Sequence, residues 1–152
     1  MEKNTIKLKK YLDIIEEETA TAVAITPGML LELTSEGLVQ AHSTDGGTVL
    51  PMFALEDELQ GKEVDDAYAA SDKIQVWVAV RGEIVWALLA DNEVVTKGDF
   101  LLSAGNGKLK VSANSEASFA EFPQSVVGVA LEDIDMTDSD DAAIGRCAVR
   151  II

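Results

Sequence analysis

The sequence predicts an all-β protein, and three features carry that prediction. The apolar residues are mostly Val, Ile, Leu and Ala, and they occur in short runs separated by Gly, Asp and Asn. An apolar run at 100–102 is followed by the turn sequence Gly105-Asn106-Gly107 and by an alternating stretch at 108–111, which together describe a complete β-hairpin. The third feature is a repeat, because much of this turn-and-strand pattern also occurs earlier in the chain, at residues 25–41. Short apolar runs between turn residues are typical of a β-rich domain.

Length and charge limit the class of protein. With 152 residues the chain is long enough for one domain with a sizeable core. The net charge of −15 is unevenly distributed: the first ten residues contain four lysines and one glutamate, so they carry +3 and the remainder carries −18. Because so acidic a body repels phosphate backbones, we expect no nucleic-acid partner.

Cysteine content and hydropathy indicate the compartment. The single cysteine, Cys147, has no partner for a disulfide within the chain. No apolar run approaches the length of a membrane span, and the Lys-rich start lacks the apolar core of a signal peptide. We therefore expect a protein that is made in the cytoplasm and has no membrane partner.

An internal repeat defines the expected domain organisation. Two glycines and a threonine recur without a gap, and the aligned pairs are Thr26 and Thr96, Gly28 and Gly98, and Gly37 and Gly107. Both copies are followed by Ala-Leu-Glu-Asp, at 54–57 and 130–133, then by an Asp pair and a β-branched run. We interpret residues 25–152 as one β domain built from two similar units, 25–81 and 95–152.

Residues 1–24 differ from the rest and are predicted to form an N-terminal arm. Residues 6–9 alternate between apolar and basic side chains, residues 11–15 are largely apolar, and three glutamates follow at 16–18. A segment with apolar side chains and no repeat partner often folds against another molecule. The alternative is a frayed terminus.

The centre of the chain is its most apolar part. Ile74, Val76, Val78 and Val80 share one face of a predicted strand, Arg81-Gly82 forms a turn, and a second apolar strand returns over residues 83–89. We expect a hairpin covered on both faces, with Trp77 and Trp86 in the core. Further strands are predicted at 126–131 and 146–152, and Phe119 and Phe122 need cover in the loop before them.

The sequence offers little catalytic chemistry. The only histidine, His42, lies beside Ser43 and Asp45, and neighbours on one loop rarely reach triad geometry. The acidic stretch 133–141 fails the spacing of a helix-flanked calcium loop, although an incidental cation remains open there. No glycine pattern for phosphate or dinucleotide binding is present. We expect no enzyme activity, no cofactor and no metal site.

Several motifs, taken in order, resemble a known family. They are Ala-Thr-Ala-Val-Ala-Ile-Thr-Pro-Gly-Met-Leu-Leu-Glu at 20–32, Phe-Ala-Leu-Glu-Asp-Glu-Leu-Gln-Gly-Lys at 53–62, Asp-Asp-Ala-Tyr-Ala-Ala at 65–70 and Lys-Gly-Asp-Phe-Leu at 97–101. This set is similar to the head decoration, or capsid cement, proteins of tailed bacteriophages, and it covers residues 20–152.

The resemblance implies a β-tulip or β-clip-like bent ribbon that assembles as a homotrimer on the outer surface of the virion capsid. It implies that the arm adds a strand to the major capsid protein. The residues expected to make that contact are Ile6, Lys7, Leu8, Lys9, Lys10, Tyr11 and Leu12. The residues expected at the three-fold contact are Trp77, Phe119, Phe122 and Ile151.

Two alternatives of other classes stay open. One is a trimeric β-clip domain that binds a small ligand or hydrolyses a small molecule, which would need convergent polar groups at a subunit junction. The other is a surface module that binds a receptor or a glycan, a role that capsid decoration does not exclude.

Overall fold

The computed structural model describes residues 3–12, 14–112, 123–137 and 145–152. Within these ranges the chain is all-β, as predicted, with two short 3-10 turns at Glu58–Gln60 and Pro123–Ser125. The strands are β1 (Lys7–Lys9), β2 (Ile15–Thr19), β3 (Leu31–Leu33), β4 (Val39–Ala41), β5 (Met52–Ala54), β6 (Lys73–Val78), β7 (Ile84–Leu88), β8 (Val94–Val95), β9 (Phe100–Ser103), β10 (Leu109–Val111), β11 (Val126–Ala130), β12 (Ile134–Asp135) and β13 (Arg146–Ile151).

The strands of the described residues form one large sheet and three small ones. The six-stranded sheet has the order β1-β7-β13-β11-β9-β10, and a three-stranded sheet has the order β2-β6-β5. The pairs β3-β4 and β8-β12 are separate two-stranded sheets. No helix in the described ranges is long and apolar enough to cross a membrane.

The predicted hairpin at 100–111 is confirmed. Strands β9 and β10 pair antiparallel, with Leu101 opposite Val111 and Ser103 opposite Leu109. Gly105 and Gly107 have φ values of +81° and +75°. Only glycine adopts this left-handed region without steric cost, so the turn sequence itself fixes the reversal.

The predicted hairpin at 74–89 is wrong, although its turn is present. Gly82 has φ +93° and reverses the chain, but β6 and β7 belong to different sheets. Strand β6 lies between β2 and β5, and β7 lies between β1 and β13. Each strand thus has both edges occupied by distant strands, and an apolar pattern specifies burial of the faces but not the partners at the edges.

The two halves share one pairing pattern. Leu31 lies opposite Ala41 in β3-β4 as Leu101 lies opposite Val111 in β9-β10. The turn glycines are held alike, since Gly28 N–H donates to Ala54 O at 2.8 Å and Gly98 N–H donates to Ala130 O at 2.9 Å. The sequence alignment of these glycines therefore coincides with their hydrogen bonds.

The pattern also extends into residues that the sequence had assigned to the arm. Strand β2 pairs antiparallel with β6 in the same way as β7 pairs with β13. The two residues that follow β2 also make the same backbone hydrogen bonds as the two residues that follow β7. The equivalent donor–acceptor pairs are Ala20 to Asp72 and Leu89 to Gly145, then Thr21 to Val39 and Ala90 to Leu109. The first repeat thus begins at β2, not at residue 25, and the prediction of an arm separate from the β domain is wrong for the described residues of the segment 1–24.

Two apolar clusters make up the core of the described residues. The larger one draws residues from both halves, including Leu30, Phe53 and Trp77 from the first and Leu101 and Val149 from the second. The smaller one lies within residues 20–76. Because the larger cluster is shared, the two halves form one folding unit.

Candidate functional site

The polar groups around His42 form an internal connection between the halves. His42 is 3% exposed; its Nδ1 lies 2.8 Å from Ser103 Oγ and its Nε2 lies 3.1 Å from the Thr48 carbonyl oxygen. Ser103 is fully buried. A nucleophile must meet its substrate, so this buried Ser–His pair joins the halves rather than performing hydrolysis.

The Glu32 carboxylate lies at the surface side of His42. It accepts hydrogen bonds from Ser43 Oγ at 2.6 Å and from Gln40 Nε2 at 2.7 Å. Burial raises the pKa of Glu32, but these two hydrogen bonds, the nearby His42 and a hydrogen bond from the Ser43 backbone together hold the pKa below its usual value. Ser43 thus bonds to Glu32, and Asp45 forms an ion pair with Lys110, so neither completes a triad.

An open cleft of about 300 Å³ lies on the first repeat. Its lining carries Asp57, Lys62, Asp66, Tyr68 and Lys73. The Tyr68 hydroxyl donates to the Leu55 carbonyl oxygen at 2.8 Å, and burial raises the pKa of Tyr68 to about 12. A phenol held protonated and already bonded supplies no base at neutral pH. The described residues contain no group of three or more His, Cys, Asp or Glu that could hold a metal ion.

The N-terminal segment, residues 3–12, is the most distinctive surface feature. Ile6 has no exposed surface and lies in the larger apolar cluster. Its backbone N–H donates to both oxygens of the Glu56 carboxylate, at 3.3 and 3.1 Å. Its carbonyl oxygen accepts from Trp86 N–H at 2.9 Å. Burying an isoleucine contributes about 1.5–3 kcal/mol, so Ile6 anchors the segment to the chain's own body.

A second buried carboxylate holds the segment further along. Glu83 is fully buried, and its Oε1 accepts from the backbone N–H groups of Tyr11 at 2.7 Å and Leu12 at 3.0 Å. Its Oε2 accepts from Val80 N–H at 2.7 Å. A charge is tolerated inside a protein when donors surround it, and these three N–H groups supply that compensation.

Beyond this anchor the apolar side chains turn outward. Tyr11 is 61% exposed and Leu12 57%, and Ile14 and Ile15 are 39% and 42% exposed. These four residues are named the N-terminal patch. The Lys9 ammonium lies 5.5 Å from the centre of the Tyr11 ring, at cation–π distance. Rigid backbone bonds beneath exposed apolar side chains are typical of a binding surface that is formed before its partner arrives.

The structure thus divides the predicted arm residues into two sets. Ile6 lies inside the core and cannot face a partner while β1 stays paired; Lys7 and Leu8 are half-buried. Lys9, Lys10, Tyr11 and Leu12 are exposed. Alternation alone could not distinguish these sets, because an apolar residue on an edge strand serves an internal core and a partner equally well.

The predicted three-fold contact is also corrected in part. Trp77 has no exposed surface and Ile151 is 2% exposed, because both belong to the shared core. Neither is available to a neighbouring copy. Phe119 and Phe122 lie outside the described residues.

Sequence reasoning missed Glu56 and Glu83. Glutamate is rarely buried unless paired, so composition rules place it outside. One signal was available for Glu83: it directly follows the Gly82 turn and opens a strand of apolar residues. A carboxylate at such a place is a candidate acceptor for backbone N–H groups.

Comparison with known proteins gives a match in fold but not in sequence. No protein-family model matches the chain, and no curated protein matches it in sequence. The crystal structure of the N base of the head fiber gp8.5 in bacteriophage phi29 is similar in fold, with a TM-score of 0.52 and 11% sequence identity. The match covers 91% of this chain and 98% of that one. At this identity the likeness shows a shared all-β fold.

Proposed function

We propose that this protein is a structural component of a tailed-phage virion, a decoration or cement protein that binds the outer surface of the head and bridges neighbouring major capsid proteins. The observation that carries the proposal is the fold likeness to a phage head fiber base, which spans nearly the whole of both chains. The sequence motifs at 20–32, 53–62, 65–70 and 97–101, which resemble capsid cement proteins, point the same way.

The physical character of the chain agrees with a binding rather than a catalytic role. The Ser–His pair of the described residues is buried, while four large apolar side chains are exposed close together in sequence at the N-terminal patch. The strongly acidic body keeps the protein soluble at the concentrations needed to coat a shell. We assign the patch as the main apolar contact with the head.

The first prediction concerns this contact. The double substitution Tyr11→Ser and Leu12→Ser should abolish sedimentation of the protein with purified expanded heads, because burial of each large apolar side chain contributes about 1.5–3 kcal/mol. Both side chains are exposed and their backbone N–H groups still reach Glu83, so the circular dichroism spectrum and melting temperature should stay unchanged.

A matched control is Leu59→Ser. Leu59 is 88% exposed on the first repeat, outside the N-terminal patch. This variant should bind heads like the wild type. If the patch variant still sediments with heads at unchanged affinity, the patch is not the contact; if the wild type itself never sediments with its cognate heads, the proposed function is wrong.

The assembly is proposed to be a homotrimer. Several apolar side chains remain exposed outside the patch and are available for contacts between copies, namely Leu33, Val94 and Ile152. Three copies in one assembly bring three patches to one shell, so weak single contacts add through effective concentration. Size-exclusion chromatography with multi-angle light scattering, on the purified protein or on protein released from heads, should give three times the chain mass of 16.2 kDa. A species of one chain mass in both samples would contradict the trimer.

A further inference from the structure

The internal repeat leaves one sheet edge occupied in the second half and open in the first. In the second half, β1 covers the outer edge of β7, and Trp86 N–H donates to Ile6 O at 2.9 Å. Next along the same edge, Leu88 N–H donates to Gly28 O at 3.1 Å. The outward N–H groups of Trp86 and Leu88 are therefore satisfied by the chain itself.

Strand β2 is the equivalent strand of the first half. Glu17 lies opposite Gln75 as Trp86 lies opposite Ala148. Gln75 and Ala148 are themselves equivalent, because their carbonyl oxygens accept from Leu55 and Leu131, each at 2.9 Å. The N–H groups of Glu17 and Thr19 thus correspond to those of Trp86 and Leu88.

These N–H groups point away from the sheet. Ile14 O accepts from Val78 N–H and Ala20 N–H donates to Asp72 O, so the even-numbered residues of β2 bond towards β6. The backbone N–H groups of the odd-numbered residues of β2 face outward. In the described part of the chain, β2 ends the order β2-β6-β5. At its far end Val39 of β4 forms a parallel bridge with Ala20 and accepts from Thr21 N–H at 2.9 Å, and before that point no strand of this part lies beyond β2. An open edge of this kind is a template for another strand.

The side chains of β2 determine which strand fits. The sequence Glu16-Glu17-Glu18 stands where β7 has Val85-Trp86-Ala87. Two copies of β2 placed edge to edge would oppose glutamates, which repel. A second copy of this edge is therefore disfavoured, and a strand carrying lysine or arginine is favoured.

The chain itself supplies the geometric precedent for a basic strand on this edge. Strand β1, Lys-Leu-Lys, lies antiparallel to β7 with Lys7 opposite Val85. The residue of β2 equivalent to Val85 is Glu16, so a basic strand bound in the same way would set a lysine opposite a glutamate. Ile14 and Ile15 at the start of the edge offer apolar contacts to its remaining side chains.

We propose that the outer edge of β2 is a strand-addition site for an extended, basic segment of another protein, which binds antiparallel to β2. The backbone N–H and C=O groups of Glu17 and the backbone N–H group of Thr19 supply the hydrogen bonds, and Glu16, Glu17 and Glu18 select the charge. This inference rests on the proposed function in one respect: it takes the segment to belong to the capsid shell.

The test uses the full chain and a synthetic peptide, acetyl-Thr-Val-Lys-Val-Lys-Val-Thr-amide, with a control peptide in which Glu replaces Lys. Amide hydrogen exchange followed by NMR reports each N–H separately. The basic peptide should slow exchange at Glu17 and Thr19 by at least tenfold and leave Trp86 and Leu88 unchanged, and the effect should weaken as salt is raised. Equal protection by the acidic peptide, or no protection at either amide, would overturn the proposal.

Two variants separate the backbone from the charge. Glu17→Pro removes an outward N–H without touching the bonds to β6, since proline is tolerated on an outer edge, and it should abolish peptide binding. Glu17→Ala keeps the N–H and should weaken binding only a few-fold. Melting temperatures verify that both fold. If Glu17→Pro binds the peptide like Glu17→Ala, strand addition is wrong.

Sedimentation with heads distinguishes this inference from the proposed function. Loss of head binding by Glu17→Pro but not by Glu17→Ala supports a capsid strand on β2. Equal head binding by both variants overturns that assignment while the proposed function stands. If the wild type binds no heads, the proposed function fails and the peptide experiment alone decides whether β2 accepts a basic strand.

Discussion

Replacing Glu83 with alanine should destabilise the protein by about 3–5 kcal/mol and release the N-terminal segment. The carboxylate is fully buried and accepts from the backbone N–H groups of Tyr11, Leu12 and Val80. Each hydrogen bond to a charged group contributes about 1.5–3 kcal/mol, and water can recover part of the loss at Tyr11 and Leu12 once the segment detaches. Urea denaturation gives the free energy, and hydrogen exchange at residues 6–12 should rise sharply.

Two further variants should give a smaller loss of stability than Glu83→Ala. Glu83→Gln keeps one oxygen for Tyr11 and Leu12 but turns an amide N–H towards Val80, so its loss should be intermediate. Glu36→Ala, at an exposed turn, should change stability by less than about 0.5 kcal/mol. If Glu83→Ala is as stable as Glu36→Ala, the buried carboxylate does not hold the segment.

The role of Glu83 shows where sequence reasoning ended. Its partners Tyr11 and Leu12 lie 72 and 71 positions away in the chain, and no local pattern specifies such a pairing. The alternation at residues 6–9 correctly indicates a strand, but strand propensity does not specify whether that strand pairs with the same chain or with another protein. The prediction that the arm binds a partner rests on its apolar side chains, its lack of a repeat partner and the family resemblance, and none of these indicates that Glu56 and Glu83 hold the segment.

Features encoded locally were predictable. The Gly105-Asn106-Gly107 turn determines the β9-β10 hairpin by backbone conformation alone, and the register follows. The repeat was visible wherever glycines and the Ala-Leu-Glu-Asp motif mark turns. It was not visible at β2, because Glu16-Glu17-Glu18 shares no side-chain character with Val85-Trp86-Ala87 although the backbone pairing is the same. Two strands can thus keep the same backbone pairing while their side chains diverge completely, when the outer edge of one strand is covered, as β1 covers β7, and that of the other is open.

Substitution of Arg146 by methionine should also cost about 3–5 kcal/mol, because this side chain joins the two halves from inside. Arg146 is 6% exposed; its Nη1 donates to Pro27 O at 2.7 Å and its Nη2 to Val64 O at 2.6 Å. Its guanidinium lies 5.3 Å from the Trp86 ring centre. Methionine fills a similar volume but leaves two buried carbonyl oxygens without donors. Thermal melting should show a fall of about 10 °C or more.

The ion pair with Asp65 is the competing explanation for the effect, and it can be tested directly. Arg146 Nη2 lies 3.0 Å from Asp65 Oδ1, but the Asp65 side chain is 49% exposed, and such a pair contributes about 0–1 kcal/mol. Asp65→Ala should therefore cost far less than Arg146→Met. Arg146→Lys keeps the charge but not the two-pronged geometry that reaches both carbonyl groups, so its loss should approach that of methionine. Near-wild-type stability of Arg146→Lys, or an equally large loss in Asp65→Ala, would mean that charge rather than the two carbonyl bonds joins the halves.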